Sequence, residues 1–248
     1  MNINNYREVM IRKILNEGIN LSRVGIVTNS NPIDLLNKEY IEKIILQLGM
    51  NIEKPLEQPD IVNNNGGGLY IWQYPNQFAS YLLFIQQFKI NSYLEIGCRW
   101  GGTFILTTEY LKKINTLNNS VAVDIIESPI QEYCKNNDYS DFWLCDSKSN
   151  EFKKKIENKF FDIIFIDGDH SYLGVSTDYE TCKNNSNIFV FHDIVNNSCP
   201  GVVQFWNEIK MLYSDKYFFY EFTQQYEDVF KNTGKTFLGI GVAISKTL

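Results

Sequence analysis

Tyr93-Leu94-Glu95-Ile96-Gly97-Cys98-Arg99-Trp100-Gly101-Gly102-Thr103-Phe104 is the stretch whose reading decides the fold. An apolar run ends at Gly97, and the glycines that follow allow a tight turn with a closely approaching backbone. A helix then begins whose N-terminal amides can hold a polar or anionic ligand group. In an open α/β sheet, ligands bind at this place, beyond the carboxyl ends of the strands. The dinucleotide fingerprint G-x-G-x-x-G is not met, because Arg99 stands at its middle glycine, which argues against a nicotinamide or flavin enzyme.

Outward from this loop, short apolar runs alternate with amphipathic helices: Tyr93-Leu94-Glu95-Ile96, Val121-Ala122-Val123, Phe142-Trp143-Leu144, Ile163-Ile164-Phe165-Ile166 and Ile188-Phe189-Val190-Phe191. Strands alternating with helices imply a parallel sheet covered on both faces. Val202, Phe205, Trp206, Ile209 and Leu212 then form one face of a helix, with Asn197 or Ser198 as its cap and Pro200 in its first turn. Two last runs, Tyr217 to Phe222 and Phe237 to Ile244, are joined by about fourteen residues read as a loop without a helix, so they should be antiparallel neighbours. Upstream, Met10, Ile14, Ile41, Ile44, Ile45 and Leu48 recur at helical spacing, broken at Asn31-Pro32. This piece has too little apolar surface to stand alone and should pack on the rest of the chain or on a second copy. Residues 1–68, ending in the run Asn63-Asn64-Asn65-Gly66-Gly67-Gly68, are read as a helical extension with a linker, and 69–248 as the main domain.

Composition narrows the function. The chain has 248 residues, 23 Lys+Arg against 29 Asp+Glu, and a net charge of −6, which argues against a nucleic-acid-binding stripe. Hydrophobic residues at 44% against 21% charged provide for one full core. No run approaches the ~18 apolar residues of a membrane helix, and the N-terminus lacks a secretory h-region, so a cytoplasmic location is expected. Five cysteines without a C-x-x-C pair read as reduced, buried thiols.

Carboxylates stand at successive strand ends: Asp124 closes the second run, and Asp146-Ser147 the third. Glu95-x-Gly97, Asp124, Asp146 and the five-strand alternation ending in an antiparallel hairpin resemble the class I S-adenosylmethionine-dependent methyltransferases over roughly residues 90 to 248. The resemblance implies a Rossmann-like, doubly wound, mostly parallel seven-stranded sheet with an antiparallel C-terminal hairpin, here with an N-terminal helical extension. It also implies that Gly97 and Gly101 wrap the methionine part of the cofactor, that Asp124 binds ribose and that Asp146 meets the adenine amino group, with Glu95 and Ser147 beside them. Arg99 departs from the usual glycine, and its cation could pair with the cofactor's carboxylate or with an anionic substrate group, or simply stack on Trp100.

Both histidines of the chain follow core strands, in Ile166-Asp167-Gly168-Asp169-His170 and Phe191-His192-Asp193. Acidic residues crowded in one corner call for a counter-ion, so a divalent cation is the economical explanation. The pattern resembles the metal-assisted O-methyltransferases, which implies that Asp167, His192 and Asp193 hold magnesium or manganese, with His192 standing where an acid is usual. It implies in turn that His170, three residues after Asp167, is the base removing a hydroxyl proton, with Asp167 also able to accept it. His192 also reads as an orienting group outside the ligand set.

The aromatic and amide-rich run Tyr70 to Phe78 suits sugar rings, and Gln73 and Gln77 are candidates for cofactor or substrate contact. The expected substrate is thus a small hydroxylated molecule, such as a sugar, nucleotide-linked sugar or glycoside, with a homodimer through the N-terminal helices as a possible assembly. Two rivals stand beside this expectation: an iron oxygenase built on His170, His192 and Asp167 or Asp193, and a non-catalytic binding subunit that keeps the fold.

Overall fold

The structure is a computed structural model that describes residues 9, 11–14, 16–62 and 68–248. Met10 and residues 63–67 of the expected linker lie outside the described residues. Helix α1 (Lys38–Leu48) is capped by the Asn37 side chain, which accepts from the Tyr40 N–H at 3.0 Å. Helix α2 (Pro75–Ile85) starts on a proline. The alternating part then runs β1 (Ser92–Ile96), α3 (Gly102–Ile114), β2 (Asn119–Asp124), α4 (Ile130–Lys135), β3 (Ser140–Leu144), α5 (Asn150–Ile156), β4 (Phe161–Ile166), α6 (Tyr172–Cys182) and β5 (Ser186–His192). It closes with α7 (Pro200–Leu212), β6 (Tyr217–Phe222), α8 (Glu227–Thr233) and β7 (Ile240–Ser245).

These strands form one seven-stranded sheet in the order β3-β2-β1-β4-β5-β7-β6. The first five are parallel, and β7 runs antiparallel between β5 and β6. The expected fold class is therefore the observed one. The strand order reverses between β1 and β4, and the loops leaving those two strands part there to opposite faces, opening a crevice.

Period-two alternation divides the strand residues between two cores. Tyr93, Ala122, Ile163, Phe165, Val190 and Val242 face a cluster that includes Ile41, Ile44, Ile45 and Leu48 of α1 together with α2 and α3. Leu94, Val121, Val123, Ile164, Phe189 and Ala243 face α5, α6 and α7. The N-terminal helix thus shares a core with the sheet, and the chain around it is tied in by an isolated bridge between Met50 and Ile71.

Two local expectations are corrected. A helix, α8, does stand between β6 and β7: Glu227 and Asp228 occupy its first turn, and Gly234 ends it at φ 66°. Strand β7 accordingly starts at Ile240, while Phe237 and Leu238 turn aside to pack on Tyr74 and Val229. Helix α7 is preceded by Cys199 at its N-cap, with no side-chain cap bond, and neither Asn197 nor Ser198 takes that place. All five cysteines are free thiols. Among the described residues no helix is long and apolar enough to cross a membrane.

Candidate functional site

A cavity of about 600 Å³ opens at the carboxyl ends of β1 to β5, within the size range of small-molecule sites. Its floor is the β1–α3 turn. Gly97 (φ 87°) lies so close to β4 that a Cβ there would come within 2.3 Å of the Asp167 carbonyl oxygen. Gly101 (φ 88°) does not line the cavity; a Cβ on it would run into Ile130 of α4, so its absent side chain serves helix packing. Gly102, which the sequence did not single out, does line it and lets the Leu69 carbonyl approach.

On the β2 side, one Asp124 carboxylate oxygen accepts the Arg99 N–H at 2.7 Å and the other the Ile126 N–H at 3.1 Å. These two backbone bonds fix the carboxylate and leave lone pairs free towards the cavity. Ile125 and Ile126 flank it as exposed apolar side chains. Asp146 and Ser147 line the wall after β3, with Asp146 accepting the Lys148 N–H at 2.8 Å and Ser147 donating to Asp178 at 2.6 Å. Glu95 is buried, accepts the Tyr93 hydroxyl proton, and is held well above the usual carboxylate range by burial and by Asp167 and Asp124 nearby.

Arg99 lines the cavity, but its guanidinium already has an anion: Nη2 lies 2.6 Å from Glu53 Oε2. The group is sandwiched between Trp72 and Trp100, at 5.4 and 5.2 Å from the ring centroids. Glu53, itself 1% exposed, also accepts from Trp100 Nε1 at 2.6 Å and from Asn51 at 3.1 Å. The N-terminal segment therefore builds part of the site, with Asn51, Lys54 and Glu57 on the cavity wall. No short-range motif announces these residues, because the pairing of Glu53 with Arg99 spans 46 positions.

The two amide candidates are placed elsewhere. Gln73 is fully buried and does not line the cavity; its neighbour Trp72 takes the cavity-facing position. Gln77 donates to the Gln224 carbonyl at 2.9 Å and accepts the Gly239 N–H at 3.0 Å, so it ties α2 to the C-terminal hairpin.

At the far end of the cavity the ends of β4 and β5 bring both histidines onto carboxylates. Asp167 Oδ1 lies 2.8 Å from His192 Nδ1 and 3.2 Å from His170 Nε2. Asp193 (φ 65°) holds Oδ2 3.5 Å from His170 Nε2 and 3.2 Å from the Cys199 thiol, while its Oδ1 accepts from Asn196 at 2.7 Å. Burial works to raise the Asp167 carboxyl, but the charge on His192 and hydrogen bonds from both imidazoles bring it down to about 2. Burial alone would lower His170; hydrogen bonds to Asp167 and Cys199 and the nearby carboxylates instead raise it to about 11, and His192 is raised in the same way by Asp167 and Asp193. The imidazolium protons thus act as counter-ions to the carboxylates.

Donor atoms of Asp167, His192 and Asp193 lie within 4.8 Å of one another, as do those of His170, Asp193 and Cys199. His192 is buried, and its Nε2 has no hydrogen-bond partner. This mixed oxygen and nitrogen donor set fits a divalent cation. The histidines fall in different groups, although each contacts the same oxygen of Asp167.

No protein-family model matches the chain, and no curated protein does. Solved structures do. An O-methyltransferase from Bacillus cereus in complex with S-adenosylhomocysteine superposes with a TM-score of 0.51 at 16% identity, covering 83% of this chain and 90% of that one. A candidate caffeoyl-CoA O-methyltransferase from Staphylococcus aureus gives 0.50 at 16% identity over 85% and 99%. A candidate RNA methyltransferase from Pyrococcus horikoshii gives 0.50 at 11% identity over 84% and 98%. The chain is thus similar in fold to methyltransferases of the Rossmann-like type.

Proposed function

We propose that this chain is an S-adenosylmethionine-dependent O-methyltransferase that acts on a hydroxyl of a small polar acceptor with the help of a divalent cation. The observation that carries the proposal is the continuity of one cavity from the glycine turn and Asp124, through Glu95 and Asp167, to the His170, His192 and Asp193 cluster. A cofactor bound along the turn would present its reactive end to the only two histidines of the chain.

In this reading the backbone around Gly97 and Gly102 receives the methionine part, and Asp124, already fixed by two N–H groups, takes the ribose hydroxyls. Asp146 and Ser147 border the adenine, with Ile125 and Ile126 as its apolar cover. Bound S-adenosylmethionine supplies an activated methyl group, so the protein has mainly to align the attacking oxygen and remove its proton. Arg99 is a wall of the pocket rather than a free partner for the cofactor's carboxylate, because Glu53 neutralises it.

Asp167, His192 and Asp193 would hold the cation, which lowers the pKa of a hydroxyl bound to it. A bound cation would take over the carboxylate charge that otherwise holds the imidazolium protons. His170, whose side chain is 42% exposed at the cavity, would then be the imidazole placed to accept the acceptor's hydroxyl proton. Trp72, with Lys54 and Glu57 on the same wall, offers stacking and hydrogen-bonding surface to a sugar-like acceptor.

The test is transfer of a labelled methyl group from S-adenosylmethionine to a panel of sugars, nucleotide-linked sugars and glycosides, with and without a chelator. Expected is transfer to at least one hydroxylated acceptor that the chelator abolishes and manganese or magnesium restores. Transfer unaffected by the chelator removes the cation from the mechanism. A chain that carries iron and does not bind S-adenosylhomocysteine is not this enzyme.

A further inference from the structure

Cys199 has no part in the mechanism above, yet it is aimed at the same corner. It sits at the N-cap of α7, is 8% exposed, and lines the cavity. Its Sγ lies 3.2 Å from Asp193 Oδ2 and 3.5 Å from His170 Nδ1. Asp193 is the pivot, because its Oδ2 also lies 3.5 Å from His170 Nε2 and 3.7 Å from His192 Nδ1.

The separation of Asp193 Oδ2 from Cys199 Sγ is that of two ligands in one shell, and with one donor atom taken from each residue those of His170, Asp193 and Cys199 lie within 4.8 Å of one another. Bonds of about 2.0–2.1 Å to nitrogen or oxygen and about 2.3 Å to sulfur, arranged tetrahedrally, put neighbouring donor atoms roughly 3.3–3.7 Å apart. A hard-cation site has no use for sulfur, since magnesium and calcium take oxygen ligands. Thiolate and imidazole instead select zinc and its borderline-soft neighbours. His170, Asp193 and Cys199 together offer one nitrogen, one oxygen and one sulfur donor, all three facing the same cavity.

We propose that Cys199 is a metal ligand, and that with Asp193 and a histidine it makes this cavity a site for a thiophilic divalent cation such as zinc or cobalt, in preference to magnesium. The inference rests on the reading that the Asp167, His192 and Asp193 corner holds a cation, but not on methyl transfer. On ligation the Sγ–H bond breaks, its proton passes to solvent, and the sulfur lone pair forms the bond to the metal without any change of oxidation state.

The test uses the whole chain and the metal ions alone. Cobalt(II) added to the purified protein should give a near-ultraviolet thiolate-to-cobalt absorption band that is lost in Cys199→Ser and kept in Cys98→Ser and Cys145→Ser, the other two cysteines lining the cavity. In the unaltered protein, zinc should protect Cys199 from iodoacetamide labelling, read by peptide mass spectrometry, while magnesium leaves its labelling unchanged. Binding of S-adenosylhomocysteine, measured in parallel, should be the same in Cys199→Ser and in the unaltered chain, which reports that the variant is folded. Zinc binding with no band and no protection of Cys199 overturns the assignment while leaving the cation corner intact. Absence of any divalent-cation binding overturns both.

Discussion

The two ends of the cavity are built by different means. At the β1–β2 end the backbone does the work: Gly97 and Gly101 take left-handed conformations, and Asp124 is held by two main-chain N–H groups. At the β4–β5 end side chains hold side chains, with Asp167 and Asp193 gripping His170, His192 and Cys199. A backbone-built end is rigid and tolerates few substitutions at its turn. A side-chain cluster can exchange protons for a cation without moving the chain.

The contrast predicts which changes hurt the fold and which hurt only a ligand. The largest effect is expected for Gly97→Ala, where a positive φ combines with a Cβ placed 2.3 Å from the Asp167 carbonyl oxygen. Backbone strain and overlap together should cost about 3 kcal/mol or more of stability. Gly234→Ala, at φ 66° with nothing within 4 Å, should cost about 1 kcal/mol. Urea unfolding midpoints of the two variants measure the difference; equal losses would remove the close-approach argument.

Next comes a crossed pair of ligand effects. Asp124→Ala should weaken S-adenosylhomocysteine binding about thirtyfold, or ~2 kcal/mol, and leave cobalt binding unchanged. His192→Ala should do the reverse. Calorimetry with each ligand on each variant decides, and a variant that loses both would show that the two ends act as one unit.

A third effect of about 2–3 kcal/mol is read through pH. Asp178, buried behind Ser147, is pushed up to about 6 by burial, against the pull of its bond from Ser147 and of Lys148. Between the unfolded carboxyl value of about 3.9 and this raised one, the folded state binds the extra proton, so its contribution is full below that window and declines as pH rises through it. The difference in melting temperature between the unaltered chain and Asp178→Asn, followed from pH 4 to 7, should carry this slope. A flat difference would contradict the burial of that carboxyl.

The smallest effect belongs to Lys148→Ala. The Lys148 and Asp169 pair bridges the β3 and β4 loops at the cavity, but both side chains are about two-fifths exposed. Its loss should change stability by less than about 1 kcal/mol, and a larger change in the urea midpoint would mean that the bridge latches the two loops.

Legibility in the sequence followed the same division. The glycine turn, the strand ends and the carboxylates Asp124 and Asp146 were readable because a few adjacent residues carry the pattern of a strand, a turn and a helix start. The two histidines were readable because both stand at strand ends, His192 as the last residue of β5 and His170 in the turn that follows β4. Glu53 and Cys199 were not, since one reaches Arg99 across 46 positions and the other meets His170 across 29. Helix α8 escaped for a different reason: seven polar-rich residues with one buried side chain, Val229, give no helical apolar stripe. Gln73 was misplaced because an amide beside aromatic residues suggests a ligand contact, whereas its neighbour Trp72 occupies the wall.

The role proposed for the β1–β2 end of this cavity is that of a cofactor site for S-adenosylmethionine. Isothermal calorimetry of the full chain with S-adenosylhomocysteine tests it most directly. Saturable binding at one site per chain is expected. No binding of S-adenosylhomocysteine at millimolar concentration by folded protein would contradict it.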